Sequence, residues 1–298
     1  MALPFPQVLR YGLMGILAAG LAAAAVPPSA AAQGAAPPEK PAGAEIPLPD
    51  TPDASLSPEC RVPGSKLYTL AKLRGVKKAL KEHRSVHVLS IGSTSGGLGA
   101  AANYPVKLET ALEQSFPDVT VDVESRGLSG EIAYGAAERL RNMVAEIEPD
   151  LVVWQVGSND ALARVDVEAF AASLADTVDW IKSHGIDIVL VDPQYTASLA
   201  KDDYYNEFVR AIQKVAAARQ VPLVLRFEAM RYLAGASKGT LPMSGFRLAD
   251  LGSRCMAEHV TRAITVSLLQ PDVTGTPTPG PAPSPPPQSA ASAGAVAK

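Results

Sequence analysis

Val88-Leu89-Ser90-Ile91-Gly92-Ser93-Thr94-Ser95-Gly96-Gly97-Leu98-Gly99 decides how the rest of the chain is read. An apolar run ends at Gly92 and opens into small hydroxyl residues and glycines. Tyr104-Pro105 and a helical pattern follow. This is the order of a buried strand, a tight turn and a helix in an α/β fold, where ligands bind outside the carboxyl ends of the strands. Ser93 or Thr94 is placed at that edge, beside the backbone N–H groups of the turn. A hydroxyl there can act as a nucleophile next to part of an oxyanion hole. The stretch also reads as a plain Gly-Ser turn or as a phosphate loop. The absence of G-x-x-x-x-G-K-[ST] counts against a nucleotide site.

Outward from this strand (Val86–Ile91), strand and helix alternate. Leu67 to Glu82 predicts an approach helix. Tyr104 to Phe116 is helical, with Leu108, Ala111 and Leu112 on one face, and Pro117 ends it. Val119 to Val123 alternates as a second strand. A glycine-containing loop then leads to a helix through Ile132, Ala136, Leu140, Val144 and Ile147. Leu151 to Val156 is a buried third strand that ends at Gly157-Ser158-Asn159-Asp160. A helix with Val167, Phe170, Leu174, Val178 and Ile181 inward follows, closed by Gly185. Ile186 to Val191 is strand four, ended by Asp192-Pro193. Asp202 to Arg219 is a helix, Pro222 to Leu225 a short fifth strand, and Asp250 to Leu269 the last helix. Such alternation implies a three-layer α/β/α architecture, a parallel sheet covered by helices on both faces. A five-stranded flavodoxin-like order is expected.

The ends of the 298-residue chain differ in composition from its middle. Residues 1–32 read as a secretory signal peptide. Arg10 supplies the positive charge, Tyr11 to Val26 a short apolar core, and Ala30-Ala31-Ala32 a small-residue cleavage site. The core is short for a spanning helix, so no stable membrane span is expected in the mature chain. Residues 33–58 form a Pro/Ala-rich segment expected to be disordered, and residues 271–298 a similar Pro-rich tail. The domain is expected at 59–270, about 210 residues, enough for one α/β core. Net charge is -3, with 27 basic and 30 acidic residues well mixed. No basic patch is interleaved with aromatics, which argues against nucleic acid as a partner. Four scattered histidines and two cysteines show no metal-ligand spacing, so no metal and no other cofactor is expected. Cys60 and Cys255 flank the domain. In an oxidising compartment they pair, tying the entry segment to the last helix, and the alternative is two buried free thiols. Nothing in the residues fixes an oligomeric state.

The loops after strands one, two and three converge on one sheet edge with Ser93/Thr94, Gly127 and Asn159. Val156-Gly157-Ser158-Asn159-Asp160 and Ser125-Arg126-Gly127-Leu128-Ser129-Gly130 together resemble blocks of the SGNH (GDSL-type) hydrolases, over most of residues 60–268. Asp192-Pro193-Gln194-Tyr195 and Leu251-Gly252-Ser253-Arg254-Cys255-Met256-Ala257-Glu258 look like an exported bacterial subgroup. The resemblance implies a single-domain esterase, lipase or carbohydrate deacetylase. In it a serine after strand one attacks an ester carbonyl. Its own N–H, the Gly127 N–H and the Asn159 amide hold the oxyanion, and an Asp-x-x-His pair before the last helix activates the serine.

The chain departs from that pattern where the base belongs. Anchored by Ala249-Asp250-Leu251-Gly252, the Asp-x-x-His block falls at Ser244-Gly245-Phe246-Arg247. Ser244 thus stands for the aspartate and Arg247 for the histidine, and a guanidinium stays protonated and cannot act as a base. Arg247 suits an anionic ligand at the mouth of the site, or reads as a solvent-facing loop residue paired with an aspartate. In the first block, intact spacing makes Thr94 the nucleophile, and a one-residue deletion makes it Ser93. His87, His184 and His259 each read as structural histidines, and Asp160 as a residue that holds its loop through backbone hydrogen bonds. The resulting expectation is a periplasmic or secreted ester hydrolase of weak or lost activity, acting on a small-molecule or glycan ester. The alternative is a non-catalytic SGNH-fold protein that binds an acylated or anionic cell-envelope ligand.

Overall fold

Six strands hydrogen-bond into one sheet in the computed structural model, which describes residues 48–92, 104–236 and 250–270. They are β1 (Tyr68–Thr69), β2 (Val86–Ile91), β3 (Val121–Ser125), β4 (Leu151–Gln155), β5 (Asp187–Val191) and β6 (Leu223–Val224), in the order β1-β6-β5-β4-β2-β3. The last five pair in parallel, with registers such as Val88↔Val123, Ser90↔Val153 and Trp154↔Leu190. This is the expected five-stranded, flavodoxin-like parallel order, extended by β1, which runs antiparallel to β6.

The central strands bury both faces, and their period of two sorts the side chains into two cores. Val86 and Val88 of β2, Leu151 and Val153 of β4, and Val189 and Val191 of β5 point to one side. There they meet α1 (Arg74–Lys81), α2 (Tyr104–Ser115), α7 (Arg226–Ala236) and α8 (Asp250–Leu268). Leu89 and Ile91, Val152 and Trp154, and Ile188 and Leu190 point to the other. They are covered by α3 (Ala133–Ile147), α5 (Val167–Ser183) and α6 (Asp203–Arg219). Near-continuous apolar strands are thus what a sheet covered on both faces requires.

The approach helix expected from Leu67 to Glu82 is only its second half, α1. Leu67 is fully buried, and Tyr68–Thr69 add a strand to β6 instead. Covering an otherwise open sheet edge outweighs the helical pattern here. The buried carboxylate of Asp187 then starts α1, accepting the N–H groups of Arg74 at 3.0 Å and Val76 at 2.9 Å. Helix α7 was not anticipated from sequence. The side chains of Asp166 and Asp202 cap α5 and α6 through the N–H groups of Ala169 and Tyr204.

Cys60 and Cys255 form a disulfide, with Cα atoms 5.0 Å apart. Residues 48–58, assigned from composition to the linker, pack against the domain. Leu56 is buried, Asp53 pairs with Arg262 at 2.6 Å, and the Ser57 N–H donates to Glu258 at 2.8 Å. The signal segment 1–32 and the tail 271–298 lie outside the described residues. No helix among the described residues is long and apolar enough to cross a membrane.

Candidate active site

β2, β3 and β4 end side by side, and Gly92, Gly127 and Gly157, which follow them, stand at the carboxyl edge of the sheet. The contact is built on glycine. A Cβ on Gly127 would lie 2.0 Å from the Gly92 carbonyl oxygen, so the backbone after β3 can lie against the end of β2 only without a side chain. The Arg126 N–H donates to the Ser90 carbonyl at 3.0 Å and carries the β2–β3 ladder up to this point. Gly157 turns the chain out of β4 with φ +92, and a Cβ there would meet Ile212 at 2.6 Å. A one-turn helix, α4 (Ser158–Leu162), begins at once and presents Asn159.

The Asn159 amide donates to the Glu131 carbonyl oxygen at 2.7 Å. Its Nδ2 carries two hydrogens, so this bond fixes the side chain and leaves a second donor. Glu131 is held in turn by Arg139, which donates to its two carboxylate oxygens at 2.7 and 2.8 Å. Arg139 Nη2 also donates to the Arg126 carbonyl at 2.8 Å. One guanidinium, from the middle of α3, thus ties the Gly127 loop to the turn that orients Asn159.

Asp160 is buried, and its Oδ1 accepts the Ala133 N–H at 2.8 Å at the start of α3. Burial raises its pKa, and the backbone N–H groups it accepts oppose that. Its observed bond is the backbone-holding kind anticipated for it. Across the cleft, Asp192 follows β5 and accepts the Phe227 N–H at 2.8 Å, which starts α7. Gln155 accepts from Arg226 Nη1 at 3.5 Å. Gly92, Gln155, Asn159, Asp192 and Arg226 all line one cleft.

Of the expected site residues, Gly127 and Asn159 are brought to this edge. Ser93, Thr94, Ser244 and Arg247 lie outside the described residues. None of the described histidines lines the cleft. His87 sits within β2, 3.7 Å from Asp122 on the edge strand. His184 closes α5, its ring 4.2 Å from that of Trp180. His259 is buried in α8, and its Nε2 lies 2.7 Å from the Cys60 carbonyl oxygen. A carbonyl only accepts, so this nitrogen carries the proton, and burial lowers the pKa of the ring. No group of histidine, cysteine, aspartate and glutamate among the described residues could hold a metal ion.

Sequence reasoning passed over Gln155, Arg226 and the cleft-facing role of Asp192. The signal for Asp192 was present, an acidic residue at the carboxyl end of a buried strand. Its burial depends on α7, which was not foreseen.

A parallel sheet covered by helices on both faces, with Gly92, Gly127 and Asn159 at its carboxyl edge, defines an α/β protein whose candidate site lies over the ends of its strands. The chain belongs to the Non-GDSL lipase-like family, whose profile matches residues 59–269. An arylesterase of Vibrio mimicus is 28% identical over 122 residues, which are 41% of this chain and 60% of that protein. The chain therefore spans less than two thirds of that relative's length. Among solved structures, TesA superposes with a TM-score of 0.52 at 23% identity, over 61% of this chain and 99% of its own. A two-domain esterase active on acetylated mannans gives 0.54 at 17% identity, over 70% of this chain and 58% of its own. These structures share the fold.

Proposed function

We propose that the chain is an ester hydrolase of the esterase, lipase or deacetylase type whose turnover is weak or lost. The close approach of Gly127 to the Gly92 carbonyl, with the braced Asn159 amide lining the same cleft as Gly92, is the observation that carries the reading. This pairing supplies two fixed donors at one sheet edge, the arrangement that stabilises a developing oxyanion. Ser93 or Thr94 is assigned as nucleophile, directly after Gly92. Membership of a lipase-like family and the arylesterase relative support ester chemistry, with a small-molecule or glycan ester as substrate. The loss of activity follows from the degenerate block, with Ser244 and Arg247 in place of aspartate and histidine. A serine hydrolase stripped of triad members retains about 10³–10⁴ over water from its oxyanion hole and binding contacts. The disulfide supports export to the periplasm or beyond, in keeping with a cleavable segment at 1–32.

A second reading is a non-catalytic protein that binds an acylated or anionic cell-envelope ligand at the same edge. The absence of any described histidine from the cleft favours it. Intact-mass analysis after exposure to a fluorophosphonate separates the two, with Ser93→Ala and Thr94→Ala run alongside. A stoichiometric adduct lost in one variant establishes an activated nucleophile and fixes which hydroxyl it is. A folded, disulfide-bonded protein that gains no mass leaves the binding reading.

A further inference from the structure

Residues 72–84 break the even mixing of charge along the chain. Six of its 27 basic residues fall in this stretch, against one of its 30 acidic residues, in a chain whose net charge is -3. Helix α1 carries four of them, Arg74, Lys77, Lys78 and Lys81, within eight residues. Arg74, Lys78 and Lys81 recur at i, i+4 and i+7, which sets them in one row about 10 Å long. All three are exposed, and the Lys78 side chain keeps 71% of its surface in water. The opposite face of the helix is the buried one, with Val76 and Ala79 in the core.

A Cβ on Gly75 would stand 3.1 Å from the Asp150 carbonyl oxygen and 3.3 Å from that of Gly185, residues that lead into β4 and β5. α1 thus crosses the amino edge of the sheet, at the far end of the strands from the cleft lined by Gly92, Gln155 and Asn159. Of the acids beside the row, Asp150 is taken by Arg84 at 2.7 Å, and buried Asp187 by the N–H groups of Arg74 and Val76. That leaves Glu82, shared between Lys78 at 4.0 Å and Arg84 at 3.3 Å. What the row fits is set by what it lacks. A helix surface is convex, so it gives a single small anion no concavity to enter. The helix has no aromatic ring on which a nucleobase or a sugar could stack. None of the exposed large hydrophobic side chains among the described residues belongs to it, and a stable protein interface needs an apolar core. A layer of mobile anionic headgroups needs none of these, because each Lys or Arg near it is attracted by charge alone.

We propose that the exposed row of α1 docks the domain on an anionic lipid surface, Arg74, Lys78 and Lys81 meeting the phosphate groups of its headgroups. Because α1 lies at the amino edge, the cleft is then held at the end of the sheet that faces away from the lipid. The docking does not rest on ester chemistry and is measured without turnover.

The test is co-sedimentation of the full disulfide-bonded protein with vesicles of phosphatidylcholine carrying about one third phosphatidylglycerol, and with vesicles of phosphatidylcholine alone. Binding to the anionic vesicles is expected at about 0.01 M salt, where the Debye length is about 30 Å, and its loss at about 1 M. The zwitterionic vesicles should hold none. Each Lys or Arg at such a surface is worth roughly 5-fold, so Arg74→Gln with Lys78→Gln and Lys81→Gln should weaken binding roughly 100-fold. Lys201→Gln with Arg210→Gln and Lys214→Gln removes the same charge from exposed positions on and just before α6, which covers the opposite face of the sheet, and should bind like the native protein. Acetylation of the vesicle-bound protein, read by mass, should spare Lys78 and Lys81 and modify Lys201 and Lys214. If the α1 variant does not fold, the salt and lipid dependence and the acetylation pattern still decide. Equal binding to both kinds of vesicle, no binding at about 0.01 M salt, equal weakening by the two triple variants, or retention by soluble polyphosphate without vesicle binding overturns the docking.

Discussion

Gly127→Ala tests whether the candidate site rests on backbone contact between two loops. The added Cβ would fall 2.0 Å from the Gly92 carbonyl oxygen, and real Cβ contacts essentially never close below 3.0 Å. Either loop must then shift by at least about 1 Å, and by more to reach ordinary contact. Neither Gly127 nor Gly92 has room to move. The stretch after β3 is pinned by Arg126 N–H to the Ser90 carbonyl and by Arg139 to the Arg126 carbonyl. Gly92 closes on Gln155, whose Cβ would stand 2.7 Å from a Cβ at that position. Overpacking of a fixed contact costs about 1–3 kcal/mol. For a domain of this size that is a fall of roughly 2–4 °C in Tm per kcal/mol. Urea midpoints and thermal melts should therefore show a clear loss, accompanied by loss of any fluorophosphonate labelling. Gly135→Ala is the matched control. It lies within α3, its Cβ would meet only the Glu131 side chain at 3.6 Å, and alanine should stabilise it by about 0.5–1 kcal/mol. If Gly127→Ala melts and labels like the native protein, the close approach on which the site is built is refuted.

Three further outcomes follow from single features. The disulfide closes a span of 195 residues, for which the chain-entropy model gives about 5 kcal/mol, so Cys60→Ala with Cys255→Ala should lower the urea midpoint strongly. An unchanged midpoint would show that α8 and the entry segment hold together without it. Asn159→Leu removes the donor to Glu131 and leaves that carbonyl unpaired, at a cost of about 1–3 kcal/mol, and should abolish labelling in a variant that still folds. Burial raises Asp187 to about 6 and Asp192 to about 8, so the folded chain keeps protons that the unfolded chain has released. Stability should therefore fall as pH climbs from about 4 through about 8, with Asp187 alone contributing about 3 kcal/mol. Asp53, whose burial is outweighed by its bonds from Ser55 and Arg262, works in the opposite sense, but only below about pH 4. A urea midpoint that rises between pH 5 and 8 would contradict this assignment.

The parallel sheet was legible because each of its central strands is apolar on both faces, so Val86–Ile91, Leu151–Gln155 and Asp187–Val191 stand out without any tertiary knowledge. What escaped was decided by neighbours distant in sequence. Tyr68–Thr69 extend a helical pattern on paper, and only the open edge of β6 turns them into a strand. Helix α7 has its N-terminal cap on Asp192, thirty-five residues earlier in the chain, where no local capping rule finds it. The same distance hid the buried carboxyl of the cleft. Gly127 and Asn159 were readable because what marks them is local, a missing side chain and an amide next to a turn. Arg139 was not, since its place depends on which carbonyl and which carboxylate the fold brings to one guanidinium.

These residues also bear on the two halves of the proposed hydrolase site in physical terms. The electrostatic half is made of groups whose positions the fold over-determines. Gly127 is fixed by contact, Asn159 by Glu131, and Glu131 by Arg139. Removing a base elsewhere in the chain leaves that half intact, because none of its members depends on a histidine for its place. The proton-accepting half needs a group with a pKa near neutrality at the cleft. Among the described residues lining it, Asp192 is the one shifted into that range, up to about 8, and the same burial that shifts it keeps its carboxyl sealed beneath the floor. A carboxyl held so, with its Oδ1 taken by the Phe227 N–H, is poorly placed to act as a base. On the proposed reading, this over-determined half is the part that would hold developing negative charge, and its geometry does not depend on a base being present.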